Sequence, residues 1–298
     1  AVAAVGTWLE DPANRVLTLA DDQYPPRLLQ IPDPPPLLYV KGRAELLSRP
    51  SLAVVGSRNA TAQGVANAEA FARALSDAGL TVVSGLALGA DAAAHRGGLA
   101  GASSSVAVLG TGVDIVYPAR NRALAHHLGN TGALVSEFAL GTRALPGNFP
   151  RRNRLISGLA LGCLVVEAAA DSGSLITARL AAEQGREVFA IPGSIHSPLT
   201  KGCHALIKQG AKLVESTRDI LEELQMPAPA PSTPPRAVAV DAHARRVLDA
   251  LGADACDRDT LAARCHLPAA ELAALLTQLE LDGHVATLPG GRIQRVQR

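Results

Sequence analysis

Short β-branched runs alternate with longer segments of helical periodicity from residue 51 to residue 224 of this 298-residue chain. Such alternation is typical of a parallel sheet that helices cover on both faces. The fold class that we predict is α/β, a Rossmann-like, doubly wound, mostly parallel sheet with a small C-terminal winged-helix domain. The apolar runs predict about seven strands, at residues 52–55, 81–84, 105–109, 133–136, 163–166, 187–191 and 212–214.

The segments between these runs complete a repeated pattern of strand and crossover helix. Ligands of such a sheet are expected outside the carboxyl ends of its strands. The segments predict helices at residues 65–78, 90–100, 121–128, 153–160, 174–184, 204–209 and 218–224.

Proline content divides the rest of the chain. Residues 1–50 contain proline-rich loops and are interpreted as an N-terminal segment that leads into the sheet domain, a candidate remnant of a small helical domain. The sheet domain is predicted to span residues 51–225. Five prolines between residues 227 and 235 predict a semi-extended linker over residues 226–237.

Residues 238–298 predict the winged helix, with helices near 243–251, 257–265 and 268–281 and a hairpin at 284–288 and 292–296. The third helix carries Glu271 and Glu280 and no basic residue. A helix that reads DNA bases normally presents arginine, lysine or asparagine. We therefore interpret this domain as a protein-contact or regulatory module.

Positive charge is concentrated in one part of a nearly neutral chain. The formal net charge is +1, yet residues 115–166 hold six arginines and one acidic residue, Glu137. Arginine forks match phosphate oxygens, so such a segment attracts polyanions. A solvated basic surface is the simpler interpretation of a charge cluster, but the glycine-rich turns around this one favour binding.

Those turns follow the predicted strands. Gly56-Ser57-Arg58 follows the first strand and Gly85 follows the second, while residues 172–177 lie where a helix should begin after the fifth. Backbone amides in such turns and at helix N-termini bind anions. Lys201 follows the sixth strand after a further small-residue turn. Several such turns beside one arginine-rich segment predict a groove for several phosphates.

The sequence gives little support for a cofactor, a metal site or a catalytic site. Neither G-x-G-x-x-G nor G-x-x-x-x-G-K-[ST] occurs, so a dinucleotide cofactor and a nucleoside-triphosphatase are disfavoured, and we expect no cofactor, metal or catalytic residues. Asp91 and His95 lie four residues apart and are interpreted as a helix-stabilising pair. The four cysteines are widely spaced and form no C-x-x-C pair. An apolar run of transmembrane length and a signal peptide are both absent, which predicts a cytoplasmic protein.

Taken together, six segments in order resemble the DNA-processing protein A (DprA/Smf) family. The resemblance runs from about residue 24 to residue 214, with the optional winged helix of the family behind it. The segments are residues 55–58 (Val-Gly-Ser-Arg), 84–95 (Ser-Gly-Leu-Ala-Leu-Gly-Ala-Asp-Ala-Ala-Ala-His), 110–118 (Gly-Thr-Gly-Val-Asp-Ile-Val-Tyr-Pro), 149–159 (Phe-Pro-Arg-Arg-Asn-Arg-Leu-Ile-Ser-Gly-Leu), 172–178 (Ser-Gly-Ser-Leu-Ile-Thr-Ala) and 202–207 (Gly-Cys-His-Ala-Leu-Ile).

The resemblance implies a non-enzymatic single-stranded DNA-binding protein of natural transformation. It also implies protection of incoming strands, loading of the RecA recombinase and a homodimer through the sheet domain. It implies phosphate contacts by Arg58, Arg120, Arg151 and Arg154, donors from Ser57, Gly85, Ser172, Gly173, Ser174 and Thr177, and a stacking ring from Phe149 or Tyr117.

Two positions depart from the family pattern. His204 stands where asparagine is common, and Ala87-Leu88 replaces a turn that usually contains arginine. Two alternatives stay open from the sequence. One is a nucleoside-monophosphate hydrolase that uses Glu167, although the P-G-G-x-G-T segment of that group is absent. The other is an adaptor that works mainly through the winged helix.

Overall fold

A computed structural model describes residues 2–227, 241–252, 255–288 and 290–296. The chain divides into two compact units, one formed by most of residues 1–228 and a smaller one that holds residues 229–298. The predicted linker at residues 226–237 lies outside the described residues from position 228 onward. Among the described helices, not one has both the length and the apolar composition needed to cross a bilayer.

The large unit is built on one nine-stranded sheet. Its strand order is β1-β2-β6-β5-β4-β3-β7-β8-β9. The pairings from β6 to β9 along this order are parallel, whereas β1 pairs with β2 and β2 with β6 in antiparallel register. The strands are β1 Asn14–Thr18, β2 Leu37–Gly42, β3 Ser51–Val55, β4 Thr81–Ser84, β5 Ser105–Val108, β6 Ala133–Ser136, β7 Gly162–Val165, β8 Glu187–Ala190 and β9 Lys212–Leu213.

The structure adds two strands to the seven that the sequence predicts. Strands β1 and β2 both come from residues 1–50, so this segment extends the sheet of the large unit. Prolines 25, 26 and 34–36 lie between the two strands and dominate the pattern of that region. The antiparallel pairing covers the edge that β6 would otherwise expose.

Helices lie against both faces of the sheet, which confirms the predicted fold class. Val106 and Val108 of β5 belong to the core that also contains Leu155 and Leu159, whereas Ala107 packs in a separate core with Leu128. The helices of this part of the chain are α1 Val2–Trp8, α2 Ala62–Asp77, α3 Ala90–Ala100, α4 Arg122–Thr131, α5 Asn148–Leu159, α6 Ser174–Glu183, α7 Lys201–Lys208 and α8 Thr217–Glu223.

The small unit has the predicted winged-helix elements around its own core. The core includes Val247, Leu261 and Leu276 from the three helices, and Val285 and Ile293 from the hairpin. The elements are α9 Ala242–Leu251, α10 Arg258–Cys265, α11 Ala269–Leu281, β10 Val285–Thr287 and β11 Ile293–Arg295.

Helix α3 approaches its neighbours so closely that it needs glycine at two positions. A Cβ on Gly97 would lie 2.1 Å from the carbonyl oxygen of Glu69 on α2, and one on Gly98 would lie 2.9 Å from Cβ of Val82 on β4. These contacts hold the C-terminal half of α3 close to α2 and to β4.

Replacing Gly97 with alanine should lower the free energy of unfolding by about 1–3 kcal/mol, because a backbone oxygen must move to admit the methyl group. Urea denaturation measures this change. The control is Gly129→Ala on α4, where the new Cβ would have its first neighbour at 3.6 Å. Equal effects of the two substitutions would contradict the close packing of α3.

Candidate nucleic-acid interface

The strand order of the sheet reverses between β3 and β7. Strands β3 to β6 follow one another in one direction from β3, while β7 to β9 extend in the other. The helices that follow β3 and β7 must diverge to opposite faces, which opens a crevice at the carboxyl ends of these strands. A groove of about 650 Å³ lies there. This is where the sequence places its small-residue turns.

Seven of the twelve residues that the sequence predicts as DNA contacts line this groove. They come from three segments that are distant in sequence, namely the β3–α2 turn, the N-terminus of α5 and the β7–α6 turn. The seven are Ser57, Arg58, Phe149, Ser172, Gly173, Ser174 and Thr177.

One wall of the groove has the features of an anion site. Helix α6 begins at Ser174 after the glycine N-cap Gly173, so its first turn and the positive end of its dipole open onto the groove. The hydroxyls of Ser172 and Ser174 lie 2.7 Å apart. Across the groove, the side chain of Arg58 is exposed and adds a guanidinium.

Two aromatic rings form the edge of the groove. The Tyr117 and Phe149 ring centroids are 5.5 Å apart with planes inclined at 39°. Gly110 makes room for this arrangement, since a Cβ there would lie 2.7 Å from a ring carbon of Phe149. Tyr117 is 51% exposed, so its ring is accessible to a planar ligand.

Arg154 is not among the residues that line the groove. The sequence predicts it as a phosphate contact, but both of its terminal nitrogens donate to Glu137 at 2.7 Å. The two side chains are 12% and 4% exposed, so this is a largely buried, two-pronged ion pair. Its Nε also donates to Asp33 at 3.2 Å. Arg154 therefore ties α5 to the end of β6 and to the N-terminal segment.

Arg151 occupies a different environment one turn away. Its side chain is 61% exposed, lies 3.4 Å from Glu137, and is placed 5.7 Å from the ring centroid of Phe138. Arg120 and Lys201 are also exposed and lie outside the groove lining. The Lys201 ammonium donates to the carbonyl of Ile195. Arg120, Arg151 and Lys201 follow lining residues in sequence, namely Tyr117, Pro150 and Leu199.

The sequence predicts Gly85 as a hydrogen-bond donor to DNA, but its backbone N–H and carbonyl already have partners within the protein. Its N–H donates to Asp91 Oδ2 at 3.1 Å, and its carbonyl accepts from Arg152 Nη1 at 2.8 Å. The same nitrogen of Arg152 donates to the carbonyl of Val108 at the end of β5. Arg152 and Asp91 are only 5% and 6% exposed. Gly85 is thus part of the support beneath the groove.

Burial dominates the electrostatics of this support. It lowers the pKa of Arg152 to about 10, an effect that Asp91 opposes and the nearby Arg58 increases. Burial raises the pKa of Asp91, against the attraction of Arg152 and the two N–H donors from Gly85 and Ala87. At neutral pH the guanidinium therefore keeps its charge in the protein interior.

Two further side chains hold the same turn. His95 is fully buried, accepts from the N–H of Leu86 at 3.3 Å and lies 2.8 Å from the hydroxyl of Ser105. Asn121 donates to the carbonyls of Leu86 and Ala87 at 2.9 and 3.2 Å. The sequence interprets Asp91 and His95 as a pair. Both side chains instead hydrogen-bond to the turn between β4 and α3, and His95 also contacts Ser105 on β5.

Comparison with known proteins identifies the family. The model of DNA recombination-mediator protein A matches residues 15–225, and that of the DprA winged helix domain matches residues 226–291. The chain belongs to the DNA recombination-mediator protein A family. The resemblance that the six segments predict is therefore confirmed.

Relatives in this family cover most of the chain. Protein Smf of Escherichia coli is 44% identical over 295 residues, 96% of this chain and 79% of its own. DNA processing protein DprA of Streptococcus pneumoniae is 47% identical over 208 residues, 70% of this chain and 73% of its own.

Two solved structures of the family share the fold. The X-ray structure of DprA from S. pneumoniae superposes with a TM-score of 0.70 at 44% identity, covering 75% of this chain and 78% of that one. The structure of DNA processing protein A from Helicobacter pylori, described for its single-stranded DNA binding mode, gives a TM-score of 0.64 at 27% identity. It covers 71% of this chain and 96% of that one.

Arg152 is the residue that sequence reasoning most clearly missed. The sequence predicts a helix that starts at residue 153, but α5 begins at Asn148 and holds Pro150 in its first turn, where proline is tolerated. With the helix extended to Asn148, Arg152 shares the helical face of the buried Ile156 and Leu159. That periodicity would have indicated its burial.

Replacing Glu137 with glutamine should lower the free energy of unfolding by about 3 kcal/mol, because it leaves the nearly buried Arg154 charge without its main partner. Urea denaturation at neutral pH measures the change. The matched control is Glu69→Gln, which removes an ion pair with Arg96 in which both side chains are about half exposed and should cost less than about 1 kcal/mol. A similar cost for both would show that the Glu137 pair is not a structural anchor.

Stability should fall on acidification through His95. Burial, with Arg152 and Arg96, lowers the pKa of His95 to about 3 from 6.5. The unfolded chain therefore takes up the proton first, and stability is lost as the pH falls below about 6.5, by at most about 1.4 kcal/mol per unit. Urea denaturation at pH 7, 6 and 5 should show a shallower slope in His95→Gln. An unchanged slope would contradict a buried neutral imidazole.

Proposed function

We propose that this chain binds single-stranded DNA in the groove between the ends of β3 and β7, without catalysing a reaction on it. The observation that carries the proposal is the meeting of three features in one groove. These are the Ser57-Arg58 turn, the amino end of α6 and the ring pair of Tyr117 and Phe149. Membership of the DNA recombination-mediator protein A family supports it.

The phosphate backbone is bound by the two polar walls. Arg58 supplies a charged fork on one side. Ser172 and Ser174 supply hydroxyls on the other, beside the helix terminus that starts at Gly173. Charge-assisted hydrogen bonds of this kind are the strongest that an exposed phosphate can make. Arg120, Arg151 and Lys201 extend the positive surface to either side of the groove, where the strand enters and leaves.

Preference for single strands comes from the aromatic edge. A base can stack on Tyr117 or Phe149 only when its face is free, and in a duplex each face is covered by a neighbouring base. Stacking on an aromatic side chain contributes about 1–3 kcal/mol per base in single-strand binders. It depends little on sequence because every base has a π-face. The groove therefore discriminates by strandedness more than by base identity.

The wider role follows from the family. The S. pneumoniae relative is a DNA processing protein, and the H. pylori structure concerns single-stranded DNA binding. By that likeness we propose that this protein acts as a cytoplasmic homodimer in natural transformation and recombination. It protects incoming strands and loads RecA on them. The winged helix serves protein contacts, because α11 carries Glu271 and Glu280 and no arginine or lysine.

Replacing Arg58 with alanine should weaken binding of a fluorescent oligo-dT at least tenfold in an anisotropy titration. A salt series should show that the slope of log K against log salt becomes smaller by about 0.7, the value for one lost phosphate contact on a single strand. Duplex of the same length should compete poorly with the labelled strand. The wild-type affinity itself should fall steeply as salt is added.

The matched control is Arg73→Ala, which removes an exposed arginine of α2 that contacts Asp77 and does not line the groove. It should leave affinity and salt slope unchanged. Two results would contradict the proposal, namely absence of oligo-dT binding by the wild type and equal losses in the two variants. Release of free base from nucleoside monophosphates would favour the hydrolase alternative.

A further inference from the structure

Arg152 and Asp91 both hydrogen-bond to the turn between β4 and α3. Arg152 Nη1 donates to the carbonyl of Gly85 at 2.8 Å, and Asp91 Oδ2 accepts from the N–H groups of Gly85 and Ala87 at 3.1 and 3.3 Å. Arg152 also binds the carbonyl of Val108, so the end of β5 is tied to the same guanidinium. Two N–H groups and one carbonyl of the turn between β4 and α3 are therefore held in place by two buried charged side chains.

The other end of that turn directly contacts the backbone of Ser57 and Arg58. The N–H of Ala90 donates to the carbonyl of Ser57 at 3.1 Å. A Cβ on Gly89, which has φ +73°, would lie 2.3 Å from the Ser57 oxygen and 2.6 Å from the Arg58 oxygen. Only glycine allows this close approach, and the hydrogen bond from Ala90 links the position of the turn to the backbone of residues 57 and 58.

We infer that Arg152 and Asp91 form a positioning pair that sets the place of Arg58 in the groove. The pair acts through the turn at residues 85–90 and not by touching the ligand. This inference rests on the proposed function, since it assigns the pair a part in single-stranded DNA binding. It adds to the binding machinery two residues to which the sequence analysis gives no part in DNA binding.

Direct contact of Arg152 with a phosphate fits the structure poorly. Arg152 is among the residues that line the groove, but it is only 5% exposed. Its Nη1 already donates to two backbone carbonyls, and its Nε donates to Asn153 Oδ1 at 3.3 Å. The hydrogen bonds of Arg152 and Asp91 to this turn all go to backbone groups. What the charged pair provides here is fixed geometry for three backbone groups of one turn.

The first test is Arg152→Lys, which preserves the net charge but replaces the rigid fork with a single nitrogen. Anisotropy with labelled oligo-dT should show at least a tenfold loss of affinity in a variant whose circular dichroism and thermal transition remain those of a folded protein. Wild-type affinity in the folded lysine variant would overturn the inference, because charge alone would then suffice.

A double-mutant cycle with Arg58→Ala separates positioning from general damage. If Arg152 acts through Arg58, the double variant Arg58→Ala/Arg152→Lys should bind no more than about twofold more weakly than Arg58→Ala alone. Independent action predicts that the two fold-losses multiply. Multiplied losses would therefore overturn the inference even if each single variant binds poorly.

A second variant serves if Arg152→Lys does not fold. In Gly85→Ala, the new Cβ would lie 2.6 Å from Arg152 Nη2 and 2.8 Å from Asp91 Oδ2, so it forces the pair off the turn. Its affinity loss should match that of the lysine variant and show the same coupling to Arg58→Ala. The matched control Gly129→Ala, on a helix outside the groove, should bind normally. Normal binding by Gly85→Ala would overturn the inference.

A DNA-free measurement keeps this inference separate from the proposed function. In ¹⁵N–¹H correlation spectra without ligand, the amide signals of Ser57 and Arg58 should shift in Gly85→Ala and stay in place in Gly129→Ala. Unmoved signals in a folded Gly85→Ala variant would refute the positioning role whatever the DNA result. If those signals move but the wild type does not bind oligo-dT, the proposed function fails while the structural coupling stands.

Discussion

The hydrogen bonds that join the ends of β3 and β7 are the constraint on which the rest of the large unit depends. The N–H of Val166 donates to Val55 at 3.0 Å, and that of Ser57 donates to Glu167 at 2.7 Å. These bonds hold two strands side by side whose following helices leave toward opposite faces. The sheet cannot close over this point, so a crevice with backbone on both walls results from topology alone. Small residues follow at both strand ends because larger ones would fill it.

The arginines in and around the groove are of two kinds. Arg152 is buried and bonded to backbone carbonyls near Asp91, and Arg154 is paired with Glu137. Arg58, Arg120 and Arg151 are exposed to solvent. Both kinds occur within a few residues of each other on α5, because one helix presents successive side chains to opposite environments. A charge cluster in sequence therefore does not amount to a charge cluster on the surface.

The approximate bounds of the strands and helices, and the family of the chain, could be predicted from the sequence because each depends on local patterns. Strands β3 to β7 are buried along their whole length and consist mostly of apolar residues, and the turns after them carry the small residues. Partners distant in sequence could not be predicted. The pairing of Arg154 with Glu137 depends on where β6 ends relative to α5, and strands β1 and β2 depend on an antiparallel pairing across a proline-rich connection. Neither the ion pair nor the antiparallel strand pairing produces a periodic pattern in the sequence.

The burial of two arginines also bears on how the groove distinguishes its ligands. If all six arginines between residues 115 and 166 met phosphates, electrostatics would dominate and any polyanion would bind. With Arg152 bonded to backbone carbonyls and Arg154 paired with Glu137, fewer arginines are free to meet phosphates, and each phosphate contact contributes only about 0.7 to the salt slope for a single strand. The hydroxyl-lined helix terminus and the Tyr117–Phe149 edge then carry a larger share of binding. Those contacts need an unstacked base and a flexible backbone, which a single strand offers and a duplex does not.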